Sequence, residues 1–493
     1  MSNNVDALVY WPSAPLTNRL VRQALDTLKN PPNIVDRLTE KPTPKRDLLQ
    51  WSTYDAINHD LTYKHSPDSK ILSSSYVIRK ALIRKHFLSR CLHSYCVKHP
   101  DSVLCQAVPR TWDLELSFAD ELDEMWGDEL WDLGEELDKN DPLKWWILKP
   151  GMADRGMGIR LFHSKEDLTN IFEQFDEEGS EEEVDEDDDN HRNTAVVTSQ
   201  LRHFVIQEYL SNPLLLDPTE VPLDASTKSS NKKASDLHGH KFHLRAYCVA
   251  SGALSVYLYT RILSLFSAVP YTAPDASMDR NDSSQETHSE MDISAHLTNT
   301  SLQTERGEAG VRLFDELVGC QILSSESSSK SSSTRHQPTR GHALGQAIET
   351  DNPQSSISST NILTEEDVKD IKDQMAEILA EVFNAGVDMS VHFQPLPNAF
   401  ELFGIDFLVS HIPNPSTKRR FQVHILEVNS EPAIELTGPR LTWILEDLFK
   451  SIASDIVAPF FGVETKSEGE SKDVNEGLLR KCLDVQIRAN SGW

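Results

Sequence analysis

Two apolar segments, ELFGIDFLVS at 401–410 and FQVHILEVNSEP at 421–432, constrain this chain most, because each breaks an apolar pattern with an acid or amide oxygen. Joined by a polar, proline-containing loop, they predict an antiparallel pair of strands. Asp406 interrupts the run Phe403, Ile405, Phe407, Val409, and a period of two puts Glu427 and Asn429 on the face of Val423 and Ile425. Carboxylates inside a sheet are costly without a compensating cation. Three oxygen ligands on facing strands, two of them ionised, suit a hard ion such as magnesium that also bridges nucleotide phosphates. The competing reading is incidental acids on a strand.

Three further segments carry chemistry. WWILKPGMADRGMGIRLF at 145–162 predicts a strand ending in Lys149, a loop with Gly151, Gly156 and Gly158, and a second strand. Glycines let backbone N–H groups approach phosphate closely, and a lysine at the strand end adds a compact positive charge. The segment lacks the order of a P-loop and the βαβ setting of a dinucleotide fingerprint, which leaves a phosphate hairpin or an ordinary glycine hairpin. FVIQEYL at 204–210 is an apolar strand interrupted by Gln207 and Glu208; it can present its backbone to an adenine edge or be a plain core strand. KFHLRAYCVA at 241–250 alternates, so Lys241, His243, Arg245 and Tyr247 share one face and Phe242, Leu244, Ala246 and Cys248 the other. Two permanent cations on one face suit a carboxylate or phosphate, and a solvated sheet face is the alternative.

The 493 residues allow two to four structural units. Val5 to Tyr10 followed by APLTNRLVRQALDTL opens the chain with a βα unit, hence a small N-terminal α/β domain over 1–65. A central unit at 66–200, a C-terminal unit at 201–460 and a tail at 461–493 follow. An acidic insertion at 176–193 and polar insertions at 224–236, 273–291 and 322–361 bury too little apolar surface to offset the entropy of ordering, so long disordered insertions are expected there. Thr364 with Asp367 signals the start of a helix carrying Val368, Ile371, Met375, Ile378, Leu379 and Val382 on one face. Leu441, Ile444, Leu445, Leu448, Phe449, Ile452 and Ile456 form a second such stripe.

A net charge of −29, with eleven acids between Asp176 and Asp189, argues against general nucleic-acid binding. One stretch runs the other way: RKALIRKHFLSR at 79–90 has the pattern of a cationic amphipathic helix, either a solvated face or a docking patch for an acidic partner. No apolar run reaches membrane-span length and the start MSNNVDALVYW lacks a signal-peptide pattern, so no membrane partner and an intracellular chain are expected. The six scattered cysteines form neither a disulfide framework nor a zinc knuckle, and Cys91, His93 and Cys96 lack a fourth ligand.

Taken in order, the lysine and glycine loop, VIQEYL, KFHLR, AHLTN at 295–299, GIDF and ILEVNSEPA resemble the tubulin-tyrosine-ligase family of ATP-grasp enzymes, as does the upstream SSYVIRKALIRKHFLSR. The likeness runs from about residue 74 to 457. It implies an α+β chain with the ATP-grasp fold, two small α/β subdomains around a nucleotide cleft. By this resemblance Lys149 and Arg155 lie over the ATP phosphates, and Gln207, Glu208, Tyr209 and Leu210 line adenine. Asp406, Glu427 and Asn429 hold magnesium, and Lys241 and Arg245 steady the reacting phosphate or carboxylate beside Thr298 and Asn299. The implied reaction joins an amino acid, tyrosine first and glutamate as the alternative, to a protein carboxylate, with tubulin as the acceptor; a scaffold among cytoplasmic mRNA-decay proteins (P-bodies) is the other reading. Glu208 stands where the family usually has a lysine or arginine, reversing the local charge, and Met152, Met157 and Glu431 are further departures.

Overall fold

Alternation and capping set the local elements of this chain, and their packing forms three sheets, two of which enclose one cleft. The computed structural model describes residues 5–38, 46–63, 69–151, 158–180, 202–223, 236–274, 293–298, 308–324, 361–413, 419–466 and 477–485. Most of the polar insertions, together with Arg155, Gly156 and Asn299, lie outside the described residues.

The first sheet is parallel, in the order Asn33–Val35, Val5–Leu8, Asp47–Gln50, Ile71–Ser73. Its last strand carries it past residue 65. Pro15 begins the helix Pro15–Asp26, where its fixed φ suits the first turn and its missing N–H costs nothing. Leu20, Ala24, Leu49 and Leu72 share a core with Leu445 and Phe449 of the helix Thr442–Ile452. The opening segment and the far end of the chain therefore exclude water together. The terminal apolar stripe is buried as its periodicity predicts.

The second sheet, antiparallel, runs Thr111–Glu115, His203–Glu208, Trp146–Pro150, Arg160–Phe162. Helix Lys165–Ser180 covers it with Phe172 and Phe175 against Phe204. The acidic stretch accordingly starts as helix: residues 176–180 belong to that helix rather than to a loop, and Asp176 accepts a hydrogen bond from the Ala119 backbone.

The largest sheet is organised by the long strand His240–Ser251, which pairs with Ser255–Tyr259, Leu263–Phe266 and Phe400–His411. Phe421–Ser430 adds beyond Phe400–His411. Behind it lies helix Glu365–Asp388, whose Thr364 and Asp367 form the reciprocal cap read from the sequence, a feature that contributes roughly 1 kcal/mol. The tail is a structural part of this sheet, since Leu479–Asp484 pairs with Ser255–Tyr259 as an edge strand. Among the described residues no helix is long and apolar enough to cross a membrane.

Candidate active site

The strand pair at 400–430 forms in the expected antiparallel sense, with Asp406 opposite Glu427 and Gly404 opposite Asn429. One expectation is overturned. The register slips between Asp406 and Phe407, so Leu426 is an extra residue on its strand and the alternation changes phase there. Val423 and Ile425 face the core, which Val428 joins after the slip. Glu427 and Asn429 consequently face away from Val423 and Ile425, into the cleft beside Asp406. A strict period of two would have sent them into the apolar core; the bulge turns them out.

On the neighbouring strand the alternation holds without interruption. Phe242, Leu244, Ala246 and Cys248 enter the core, while Lys241, His243, Arg245 and Tyr247 line the cleft. This face is not solvated, since Lys241 and His243 are 7% and 4% exposed. Arg245 grips Asp406 through two donors, Nε to Oδ1 at 2.5 Å and Nη2 to Oδ2 at 2.9 Å. Burial opposes its charge, yet Asp406 outweighs burial and raises the guanidinium above its ordinary value. His243 holds Thr298 at 2.5 Å through Nδ1 and lies 3.5 Å from Asp406 Oδ1 through Nε2, while burial lowers its own titration.

The opposing wall comes from the second sheet. Lys149 donates to the Gln207 side chain at 2.7 Å, and Tyr209 bonds both His296 (2.8 Å) and Lys241 (3.2 Å). Leu210 lines the same space. Glu208 pairs with Arg110, Nε to Oε2 at 3.0 Å, so the charge reversal at this position is neutralised from a neighbouring strand. Gly151 lies at the backbone of the next strand: a Cβ there would meet the His203 carbonyl at 2.9 Å, leaving room for glycine alone. Gly158 adopts φ 69°, the left-handed region that glycine enters freely. Neither glycine lines the cleft itself.

The cationic stretch at 79–90 is not one helix. Lys80–Ile83 and Lys85–Lys98 are separated by Arg84, whose backbone is extended. The break scatters the charges: Arg79 is buried on Glu401, Arg90 pairs with Asp113, and Lys85 enters the cleft 3.3 Å from Glu427. Sequence reasoning missed Lys85 as a site residue, and also His243, His296 and Glu435. Signals were present for His243 on the cationic face of KFHLR, for Lys85 in the cationic stretch 79–90 and for His296 in AHLTN; for Glu435 there was none.

The cleft has a volume of about 580 Å³, enough for a nucleotide. The donor set fits magnesium: two carboxylates face one another across a strand pair, and Asn429 donates to Glu427 at 3.1 Å. Burial would raise the Glu427 carboxyl, but Lys85, Lys149, Asn429 and Asp406 overcome it and hold the group well below the usual carboxylate range. These positive neighbours thus favour the ionised form of Glu427. Burial lowers Lys149 to about 8 and Lys241 to about 7, with Lys149 reinforcing the effect on Lys241.

These lowered amines make a pH prediction. Between pH 7 and 10.5 the unfolded chain keeps the Lys241 proton and the folded chain releases it, so this group makes stability rise with pH across that window and applies its full burial penalty below it. A phosphate beside Lys241 favours the charged form. Nucleotide binding at about pH 8 should therefore take up protons, visible by calorimetry in buffers of different ionisation heat. The uptake should fade below about pH 6 and shrink in Lys241→Met; binding without uptake at pH 8 would contradict the placement of phosphate there.

Two sheets enclosing a cleft, one bearing a lysine and a glycine-edged hairpin and the other paired acids, define the ATP-grasp class. The solved structure of the C-terminal domain from K. lactis Pby1, an ATP-grasp enzyme interacting with the mRNA decapping enzyme Dcp2, is similar with a TM-score of 0.59 and 26% identity, covering 98% of this chain and 99% of that one. The model of the tubulin-tyrosine ligase family matches residues 73–340 and 342–465, and the chain belongs to that family. A Schizosaccharomyces pombe protein named as a probable tubulin–tyrosine ligase is 35% identical over 446 residues, 88% of this chain and 89% of that protein. Saccharomyces cerevisiae PBY1, likewise named as a probable tubulin–tyrosine ligase, is 32% identical over 490 residues, 97% of this chain and 54% of PBY1. This chain thus spans about half the length of PBY1.

Proposed function

We propose that the chain is an ATP-dependent carboxylate–amine ligase that joins an amino acid, tyrosine first, to a protein carboxylate. The observation that carries this reading is the convergence of Lys149, Lys241 and Arg245 with Asp406 and Glu427 in one cleft. Lys149 and Lys241 would hold phosphate oxygens, and Tyr209, Leu210 and the strand before them would bound the nucleotide base; all line the one cleft. Asp406, Glu427 and Asn429 would hold magnesium, which when bound neutralises phosphate charge. Arg245, fixed by Asp406, steadies the acceptor carboxylate or the transferring phosphoryl group.

In the reaction a carboxylate oxygen of the acceptor bonds to the γ-phosphorus as the bond to the β-bridging oxygen breaks, releasing ADP. The amine then attacks the carbonyl carbon of the acyl phosphate, the C–N bond forms, inorganic phosphate departs, and the surplus amine proton passes to solvent or a carboxylate. On this reading no protein nucleophile takes part; positioning and charge neutralisation do the catalysis. Tubulin is the proposed acceptor. Since the chain carries −29, an acidic tubulin tail must dock through local positive charge, and long-range attraction will not assist.

A second reading rests on the likeness to K. lactis Pby1, an ATP-grasp enzyme interacting with Dcp2. Here the chain is an ATP-grasp module bound to decapping proteins in cytoplasmic P-bodies, and a glutamate ligase is a variant of the first reading. Incubation with Mg-ATP, labelled tyrosine or glutamate and detyrosinated tubulin separates them. Incorporation supports the ligase; no incorporation, together with direct binding to purified Dcp2, supports the scaffold.

A further inference from the structure

The helix Lys85–Lys98 ends where His99 leaves the helical conformation, and residues 99–103 lead into the short helix Leu104–Ala107. This turn is anchored on both sides. The Tyr95 and Ser102 hydroxyls each donate to Glu381 Oε2 at 2.9 Å, on the helix Glu365–Asp388, while Leu104 and Ala107 are buried in the core. The anchors bring two thiols together. Cys105 Sγ donates to the His99 carbonyl oxygen at 3.4 Å and lies 4.0 Å from that of Cys96, and the Cys96 and Cys105 thiols are hydrogen-bonded to one another.

Access divides the six cysteines. Cys105 is exposed and Cys96 half-buried, whereas Cys91, Cys248 and Cys320 are buried. Cys482, also half-buried, lies near Cys248, but Cys248 packs in the core of the large sheet where an aqueous oxidant has no route. Burial and the hydrogen bond to Cys105 push the Cys96 thiol up to about 12, so Cys96 keeps its proton while the exposed Cys105 meets the oxidant first.

We propose that Cys96 and Cys105 form an oxidation site, a thiol pair that hydrogen peroxide converts to a disulfide at the end of the helix carrying Lys85. Neither residue lines the nucleotide cleft, and the proposal stands apart from the ligase reading. The Cys105 sulfur attacks a peroxide oxygen; its S–O bond forms as the O–O bond breaks, leaving a sulfenic acid and water. The Cys96 sulfur then attacks the Cys105 sulfur, the S–S bond forms, the S–O bond breaks, and the departing hydroxide takes the Cys96 proton to give a second water. Two thiols are oxidised and one peroxide is reduced. A dithiol reductant reverses the change by exchange. The bridge staples the turn to the last part of the helix whose first residue, Lys85, pairs with Glu427.

The test treats the reduced, full chain with hydrogen peroxide and follows free thiols and tryptic peptides by mass spectrometry. Two of the six thiols should be lost, and the peptides 91–98 and 99–110 should appear joined and lighter by two hydrogens. Dithiothreitol should restore both thiols. Cys96→Ser should stop the reaction at the Cys105 sulfenic acid, which dimedone traps, and Cys105→Ser should keep its remaining thiols. Because the peptide 91–98 also holds Cys91, the Cys91→Ser variant must still form the bridge. In the bridged protein, amide exchange over residues 96–105 should slow at least about tenfold, as local opening is suppressed. Six thiols surviving a peroxide dose that oxidises a free cysteine peptide would overturn the site. So would a bridge that requires Cys91 or Cys482, or a Cys96→Ser variant that yields no dimedone adduct at Cys105.

Discussion

Replacing Glu427 with glutamine is expected to abolish magnesium-dependent nucleotide binding while the fold survives. The carboxylate is held ionised by Lys85, Lys149 and Asn429, opposite Asp406. Glutamine keeps the shape and the amide contact but removes the charge that a hard cation requires. Loss of groups that merely support a ligand costs about 10- to 100-fold in metal affinity, so loss of a ligand itself should cost at least about 100-fold. Removing this anion also breaks the Lys85 ion pair and takes away the main counter-charge acting on Lys149, which should push the Lys149 amine further toward neutrality. Nucleotide titrations at several magnesium concentrations measure the effect, with thermal unfolding as the check on the fold. An affinity that still tracks magnesium as in the unaltered chain would remove Glu427 from the metal site.

Arg245→Ala should be nearly as severe in catalysis and worse for the fold. On the proposed reading the variant loses the guanidinium that steadies the reacting group, worth roughly 2–4 kcal/mol of transition-state stabilisation, or about 30- to 1,000-fold in rate. It also strands Asp406, whose side chain is 7% exposed, without the guanidinium that holds both of its oxygens. Breaking such a buried pair from one side costs about 3–5 kcal/mol of stability. Arg245→Lys separates the two effects: the charge stays and most of the stability with it, while the forked geometry is lost and turnover stays low. Turnover in Arg245→Lys equal to that of the unaltered chain would show that charge alone suffices. Unaltered turnover in Arg245→Ala would discard the catalytic role.

Much of this site was legible in the residues because alternation and charge are local signals. On the strand His240–Ser251 the period of two holds unbroken, so the division between Lys241, His243, Arg245 and the core residues followed from spacing. The cap of Thr364 and Asp367 was legible for the same reason, since both partners lie within one turn. Spacing failed where the backbone left its ideal geometry. The extra residue at Leu426 reversed the facing of Glu427 and Asn429, and the extended Arg84 split a helix and sent Lys85 into the cleft.

The chemical inventory and its order are legible along the chain alone: a strand lysine before glycines, a cationic strand, then paired acids, which together mark the family. Tertiary structure alone decided how charges separated in the chain were matched. Arg110 neutralises Glu208 across a strand pair, Glu401 buries Arg79 from more than 300 residues away, and Glu431 and Glu435 are tied to the turn at Tyr54 and to the helix Pro15–Asp26. The tail completes the sheet at the Ser255–Tyr259 edge in the same manner. The physical reason is that periodicity reports which side of its own element a residue occupies, whereas a buried charge is settled by whatever the fold brings within hydrogen-bond reach.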